Sequence, residues 1–409
     1  MARQVEIFKD QLENAVVFAL APTPDPLLID RVNNWRAVVE FMVNSKLAGI
    51  FFRKLQSSHL LQLIPETEAE RLRQFYYFTA LKNKVLLSEL ARIQGVLTGR
   101  DVPLVVLKGA SLLLTRVCQM GERYQADLDF LVKDMERQDL RKLLEVEGYI
   151  PVEHSDRSWW SEEHFIKRGS QFGDDVFTVF LEFHWTFRPL NRGQGQELAR
   201  SIFESARSVK YAGQSYQVPS LSLQFYQAAI HGSAYHPFDS AYFWVSLSDL
   251  SALAREAFDP QPVIELAEKH RMLEHLGVMS WILSSNLGLA SGLWEAVAQK
   301  TPGLKPVMEE TGQALWHGLL NPAPISFANL IYLFSRASFA SKLHAFWELS
   351  GMARGERVEV MGKSIKARRT GFFRLFASRL RKLNREFLRM VWQMARFYRS
   401  IGFFIPDDK

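Results

Sequence analysis

The 409-residue chain has one cysteine, Cys118. One thiol closes no internal disulfide, so a reducing cytoplasm is the expected setting. Long hydrophobic runs are also missing. No stretch approaches about 18 uninterrupted apolar residues, so no spanning helix is expected. Near the start, Glu6, Asp10 and Glu13 interrupt every apolar run, and no secretory leader is expected. Acidic residues are nearly absent from one region only: between Lys363 and Arg399, twelve basic residues stand against Glu386 alone. The whole chain carries +6, so the remainder is net acidic. The pI near 9.2 is therefore a property of the tail and gives no reason to expect a nucleic-acid partner. What remains is an ordinary globular composition, 47% hydrophobic and 23% charged, with 30 Phe and 10 Trp to fill cores. The length allows several domains.

The chain is organised around residues 102–132, VPLVVLKGASLLLTRVCQMGERYQADLDFLV. Residues 102–107 are short, β-branched and bounded by Asp101 and Gly109, which predicts a buried strand. Lys108-Gly109-Ala110-Ser111 makes a turn, with Ser111 placed to cap a helix over residues 112–118. Leu128, Phe130 and Val132 alternate with Asp127, Asp129 and Leu131, the period of a strand with two carboxylates on one face.

Strand, glycine turn, helix and Asp-x-Asp strand suit a nucleotide and a metal. A glycine turn feeding a helix supplies backbone N–H donors to phosphates. Gly109 admits close approach, the Ser111 hydroxyl adds a donor, and Lys108 adds a point charge. Asp127 and Asp129 can share Mg²⁺ (or Mn²⁺), a hard ion that favours carboxylate oxygen. Phosphoryl-transfer sites want a third carboxylate, and Glu182 is the candidate. In VFTVFLEFHW, residues 176–185, Thr178, Phe180, Glu182 and His184 share one face, with an apolar face opposite. His184 reads as standing behind the metal or in the core. Three clustered carboxylates should repel, so neutralising Asp127 or Asp129 is expected to leave the metal-free fold as stable or more so.

These residues carry a resemblance. Leu107-Lys108-Gly109, Gly121-Glu122-Arg123, residues 127–132 (DLDFLV), Gly148-Tyr149, Glu182-Phe183-His184-Trp185, His231-Gly232 and Asp249-Leu250 together resemble an uncharacterised bacterial nucleotidyltransferase family of the polymerase-β superfamily, over roughly residues 45–255. The resemblance implies metal-dependent transfer of a nucleoside monophosphate from a nucleoside triphosphate to an acceptor hydroxyl on a small molecule, sugar, peptide or protein. Asp127, Asp129 and Glu182 would be metal ligands and catalytic groups. Lys108, Gly109, Ser111 and Arg123 would hold phosphates, with Arg123 alternatively paired to Asp127 or Glu122. Two other classes share features: a nucleotide-sugar glycosyltransferase that uses Asp-x-Asp, and a non-catalytic binding module that keeps the fold. The split Gly-Ala-Ser turn favours the second of these.

The expected fold is α+β, a small mixed sheet flanked by N-terminal helices and a C-terminal helical bundle. The expected divisions are residues 1–98 (helical), 99–219 (α/β core), 220–350 (helical) and 351–409 (basic tail). Helices are expected over 5–20, 30–57 and 66–98, and from 134 to 147. Residues 153–175 read as an irregular loop or hairpin, 188–196 as a polar loop, and 208–218 as a hairpin about Ala212-Gly213. Five helices follow between 221 and 299. In the tail, Phe376, Leu383, Phe387 and Met394 belong to an apolar stripe at helical spacing, so one basic amphipathic helix is expected over 363–401. Such a helix packs on the body, meets an acidic protein or lies peripherally on an anionic membrane.

Overall fold

The computed structural model describes residues 2–133, 135–152, 161–172, 175–187, 190, 192–235, 240–320, 357–360 and 363–366. Apart from Ser240, the described residues through Gln299 form one compact unit, and those from Lys300 onward form a second.

The first unit opens with helices α1 (Ala2–Leu20), α2 (Leu27–Asp30), α3 (Trp35–Asn44), α4 (Ala48–Ser57) and α5 (Glu66–Thr98). The single helix expected over 30–57 is two, because Lys46 turns left-handed at φ +63° between α3 and α4. Asn34 caps α3 by accepting from the Ala37 amide at 3.3 Å. α5 spans the expected residues, about 50 Å at helical rise. Its stripe is covered at Leu72, Val85, Leu86, Leu90, Ile93 and Leu97, while Tyr77 and Phe78 are exposed.

The sheet combines β1 (Leu104–Val106), β2 (Leu128–Val132), β3 (Ile150–Pro151), β4 (Glu162–Phe172) and β5 (Asp175–His184) in the order β1-β2-β5-β4-β3. β2 and β5 run parallel, and the other neighbours are antiparallel. Helix α6 (Lys108–Leu114) follows β1, and α7 (Arg137–Val146) joins β2 to β3. Period-two alternation sorts the strands into two faces. Leu128, Phe130, Val132, Val179, Leu181, Phe183 and Phe165 share a core with Leu86, Leu90 and Ile93 of α5 and Leu140 and Leu144 of α7. Phe130 and Phe183 stack within it at 4.8 Å between centroids. The opposite face carries the polar groups.

Of the two readings of 153–175, the described part follows the hairpin and not the irregular loop: β4 pairs antiparallel with β5, and its Phe165 fills the core. One expectation changes here. Within 188–196, residues from Arg192 onward already belong to α8 (Arg192–Glu204). The hairpin is as expected, β6 (Arg207–Tyr211) and β7 (Gln214–Val218), turning at Ala212 and Gly213, both with positive φ.

Helices α9 (Leu221–Ile230), α10 (Ser240–Leu253), α11 (Gln261–Lys269), α12 (Leu273–Leu287) and α13 (Ser291–Lys300) follow, with a π turn, His231–Tyr235, after α9. Ser251 and Arg255 donate to the Leu20 carbonyl at 2.5 and 2.6 Å, satisfying the end of α1. The second unit holds α14 (Lys305–Leu319) and a hairpin of β8 (Arg357–Val360) and β9 (Lys363–Lys366). Residues 363–366 are therefore strand and not the start of the expected tail helix. The remainder of 363–401 lies outside the described residues. Among the described residues, no helix is long and apolar enough to cross a membrane.

Two buried histidines predict acid sensitivity. Burial pulls His275 down to about 4, and burial with nearby Lys269 pulls His270 down to about 4. Both stay neutral in the fold and charge in the unfolded chain. Stability is thus full above the unfolded value and is lost as pH falls from about 6.5 to about 4, by roughly 3 kcal/mol for His275. Denaturant midpoints across this window should fall less in His275→Gln than in the natural chain. Parallel curves would show that His275 does not titrate on unfolding.

Candidate metal and nucleotide site

The site lies on the polar face of the sheet, where β2, β5 and β4 lie side by side. Asp129 is the register partner of Glu182, and Leu131 of His184, across the parallel pair. On the other side of β5, Glu162 faces His184 and His164 faces Glu182. Strand pairing thus brings residues 129, 162, 164, 182 and 184 onto one face. The β1–α6 turn closes over them, held by the Leu107 amide donating to the Asp129 carbonyl at 2.9 Å. Lys108 takes a left-handed φ of +45°, unusual for a residue with a side chain. Its ammonium reaches 2.5 Å from Asp129 Oδ1 and 3.6 Å from Glu182 Oε2.

Asp129 is the hub. Its Oδ1 also bonds His184 Nε2 at 3.1 Å, and His184 Nε2 lies 3.7 Å from Glu182 Oε2. The other ring nitrogen, Nδ1, faces Glu162 Oε2 at 3.4 Å. His164 Nε2 lies 3.5 Å from Glu162 Oε1 and 3.9 Å from Glu182 Oε1.

The charges compensate. Burial opposes the Asp129 carboxylate, but Lys108 and His184 hold it well below the usual range. Burial opposes the His184 cation too, yet its bonds to Asp129 and Glu162 raise it to about 9. Lys108 sits well above its ordinary value, because Asp129, Glu182 and Asp127 outweigh its burial. Glu182 goes the other way: burial, with Asp129 and Asp127, lifts it to about 7 against the pull of Lys108 and His184. Burial and Asp129 likewise raise Asp127.

The donor set fits a divalent cation. One ligand atom each from Asp129, Glu182 and His184 lies within 4.8 Å of the others. Opposite ligands of an ion with bonds near 2.1 Å stand about 4.2 Å apart, so small side-chain shifts close the set. The Lys108 ammonium now lies between the two carboxylates, where positive charge is wanted. Asp127, half-buried just before β2, is not part of this group of three.

The other expected phosphate groups have protein partners. Helix α6 begins at Lys108, with Leu107 in the capping position, so Ser111 lies in its first turn and does not cap it. The buried Ser111 hydroxyl lies 2.7 Å from the Lys108 carbonyl and 3.2 Å from Gln224 Oε1, with its one proton shared between these two acceptors. Arg123 pairs with neither Asp127 nor Glu122. It makes a bidentate pair with Asp249 of α10, Nε to Oδ1 at 3.1 Å and Nη2 to Oδ2 at 3.0 Å. Its Nη1 donates to the Tyr124 carbonyl at 3.0 Å. Gly109 is small because this guanidinium packs where a Cβ would be. Gly121 lies similarly under the Tyr76 ring, and buried Asn83 of α5 donates to the Met120 and Arg123 carbonyls at 2.7 and 2.8 Å. The Gly-Glu-Arg segment is thereby clamped to the body.

The family profile described as uncharacterised nucleotidyltransferase matches residues 32–288, well over half of the chain. The chain belongs to this nucleotidyltransferase family. A crystal structure titled as an antigenic nucleotidyltransferase-like protein from Paracoccidioides brasiliensis is similar over 56% of this chain and 91% of that one, at 17% identity and a TM-score of 0.33. No curated protein sequence matches the chain.

Within this family member, sequence reasoning missed Glu162, His164 and Gln224. Glu162 and His164 alternate with Glu163 and Phe165, a strand signal obscured by three charged or titratable residues in succession. Glu163 belongs to the other face, where it pairs with Arg141. Gln224 carries no local sequence mark and reaches Ser111 only through folding.

Proposed function

We propose that the protein is a metal-dependent nucleotidyltransferase of the polymerase-β type, moving a nucleoside monophosphate from a triphosphate to an acceptor hydroxyl. The observation that carries this reading is the Asp129–Glu182 register pair, joined by His184 into one donor set with Lys108 against it. Asp129 and Glu182 would hold the ion, with Asp127 approaching as the triphosphate enters. The bound ion, Mg²⁺ or Mn²⁺, would neutralise phosphate oxygens and favour attack at the α-phosphorus.

The chain's own groups do the rest. Lys108 is flexible enough to leave Asp129 and take a phosphate oxygen, exchanging one anion for another. The first turn of α6 offers backbone N–H groups beside it. Glu182, beside the ion and facing where an acceptor would enter, is the carboxylate assigned to accept the acceptor's hydroxyl proton. In the transfer, the acceptor oxygen bonds the α-phosphorus and the bond from that phosphorus to the bridging oxygen breaks. Pyrophosphate leaves, and the hydroxyl proton goes to Glu182. Arg123 is assigned to positioning, since Asp249 already uses its fork.

The non-catalytic alternative draws on two specific observations: the Ser111 hydroxyl is committed to the Lys108 carbonyl and Gln224, and a lysine holds the cation position. One experiment separates the readings. The full chain is incubated with each labelled common nucleoside triphosphate, Mg²⁺ or Mn²⁺, and a cell extract as acceptor source. Label should appear on a covalent product, with pyrophosphate released, for the natural chain and not for Asp129→Asn. Nucleotide that binds but is never consumed supports the binding module.

A further inference from the structure

We propose that His184 is a direct ligand of the site's metal ion through Nε2, aimed by Glu162, and that this nitrogen biases the site toward later first-row divalent ions over Mg²⁺. The inference rests on the reading that Asp129 and Glu182 hold a metal, and adds to it a ligand and a selectivity.

A nucleotidyl-transfer site of carboxylates alone offers oxygen only, which suits Mg²⁺. Here the third donor is an imidazole. His184 is 5% exposed and points Nε2 at both carboxylates, 3.1 Å from Asp129 Oδ1 and 3.7 Å from Glu182 Oε2. A histidine merely filling the core would not need a carboxylate at each nitrogen. Its Nδ1 faces Glu162, itself only 7% exposed and reached from the neighbouring strand. A carboxylate behind the far nitrogen of a ligand histidine fixes the tautomer and the ring direction, and raises the basicity of the near nitrogen. The ring is also fixed in plane, lying nearly parallel to Phe187 at 15° with centroids 5.9 Å apart.

In the metal-free protein, both ring nitrogens face carboxylates, so a proton on each is satisfied. An ion at Nε2 takes the place of one proton, which leaves to solvent, while Nδ1–H keeps its bond to Glu162. Imidazole nitrogen favours ions late in the first-row series, and affinity for a mixed nitrogen–oxygen set rises from Mn²⁺ through Co²⁺. Mg²⁺ gains little from nitrogen. Glu162 is a positioning residue in this arrangement, since it acts through His184.

The test uses the full chain without nucleotide. Mg²⁺, Mn²⁺ and Co²⁺ are titrated calorimetrically, and the Mn²⁺-loaded protein is read by pulsed EPR for nitrogen hyperfine coupling. The natural chain should show that coupling and bind Co²⁺ more tightly than Mg²⁺. His184→Gln should lose the coupling and about 100-fold in Co²⁺ affinity, with Mg²⁺ changed less than about 3-fold. His164→Gln should keep the coupling. Glu162→Gln should keep it while losing about 10- to 100-fold in Co²⁺ affinity. Mn²⁺ bound without nitrogen coupling in the natural chain overturns the proposal and leaves the carboxylate site standing, whether or not any variant folds. Coupling that survives in His184→Gln does the same. If none of the three ions binds, the metal reading falls with it.

Discussion

Asp129→Asn should lower nucleotide transfer by about 10³-fold or more, the effect of removing several kcal/mol of charge stabilisation from a metal-assisted step. It should also lower the melting temperature of the metal-free protein. The sequence alone suggests the opposite, since three neighbouring carboxylates ought to repel. The structure reverses that expectation because Asp129 itself is flanked by two cationic groups: it accepts from both Lys108 and His184. Neutralising it leaves two buried or half-buried cations with one fewer counter-charge. The sign follows from its depressed folded-state value. Asp129 contributes stability above the usual carboxylate range and loses it as pH falls. Thermal melts at neutral pH in chelator, paired with the labelled-transfer assay, check both parts. A melting temperature at or above that of the natural chain would show that repulsion dominates the site after all.

The second large effect concerns the joint between the sheet region and the helices after it. Arg123→Ala and Asp249→Ala should each cost about 3–5 kcal/mol, because either one strands the partner's charge in the interior. Their side chains are only 12% and 9% exposed. Arg123→Lys should recover little, since a single ammonium cannot reproduce the two-pronged bond and the contact to the Tyr124 carbonyl. The double replacement Arg123→Met with Asp249→Leu should lie nearer the natural chain than either alanine variant, having no stranded charge. Denaturant unfolding of the set measures this. Single-variant losses under about 1 kcal/mol would place the pair among weak surface bridges.

This pair also shows where reading the chain by itself stopped. Arg123 and Asp249 both stand in segments on which the sequence resemblance rests, but nothing along the chain says that residues 126 positions apart meet. Ser111 looked like a helix cap because caps are local. Its hydroxyl instead sits between the local Lys108 carbonyl and Gln224, 113 residues away. Glu162 was hidden for a different reason. Charged residues at 162, 163 and 164 read as loop unless one knows that opposite faces of β4 meet Arg141 and the site.

What the sequence determined by itself is the part governed by short-range periodicity. The 33-residue α5, the Asp-x-Asp strand with its apolar alternate face, the run ending at Glu182 and His184, and the Ala212-Gly213 hairpin follow from repeats of 3.6 and 2 and from turn chemistry. Those repeats also place Asp129 and Glu182 on polar faces of their own strands. Only the tertiary structure decided that the two strands are parallel neighbours in register, that β4 lies beyond them with Glu162, and that Lys108 rather than Ser111 turns into the site. The physical reason is that strand order and register depend on how whole faces bury against α5 and α7. Compensation among buried charges then depends on that register, which no local window contains.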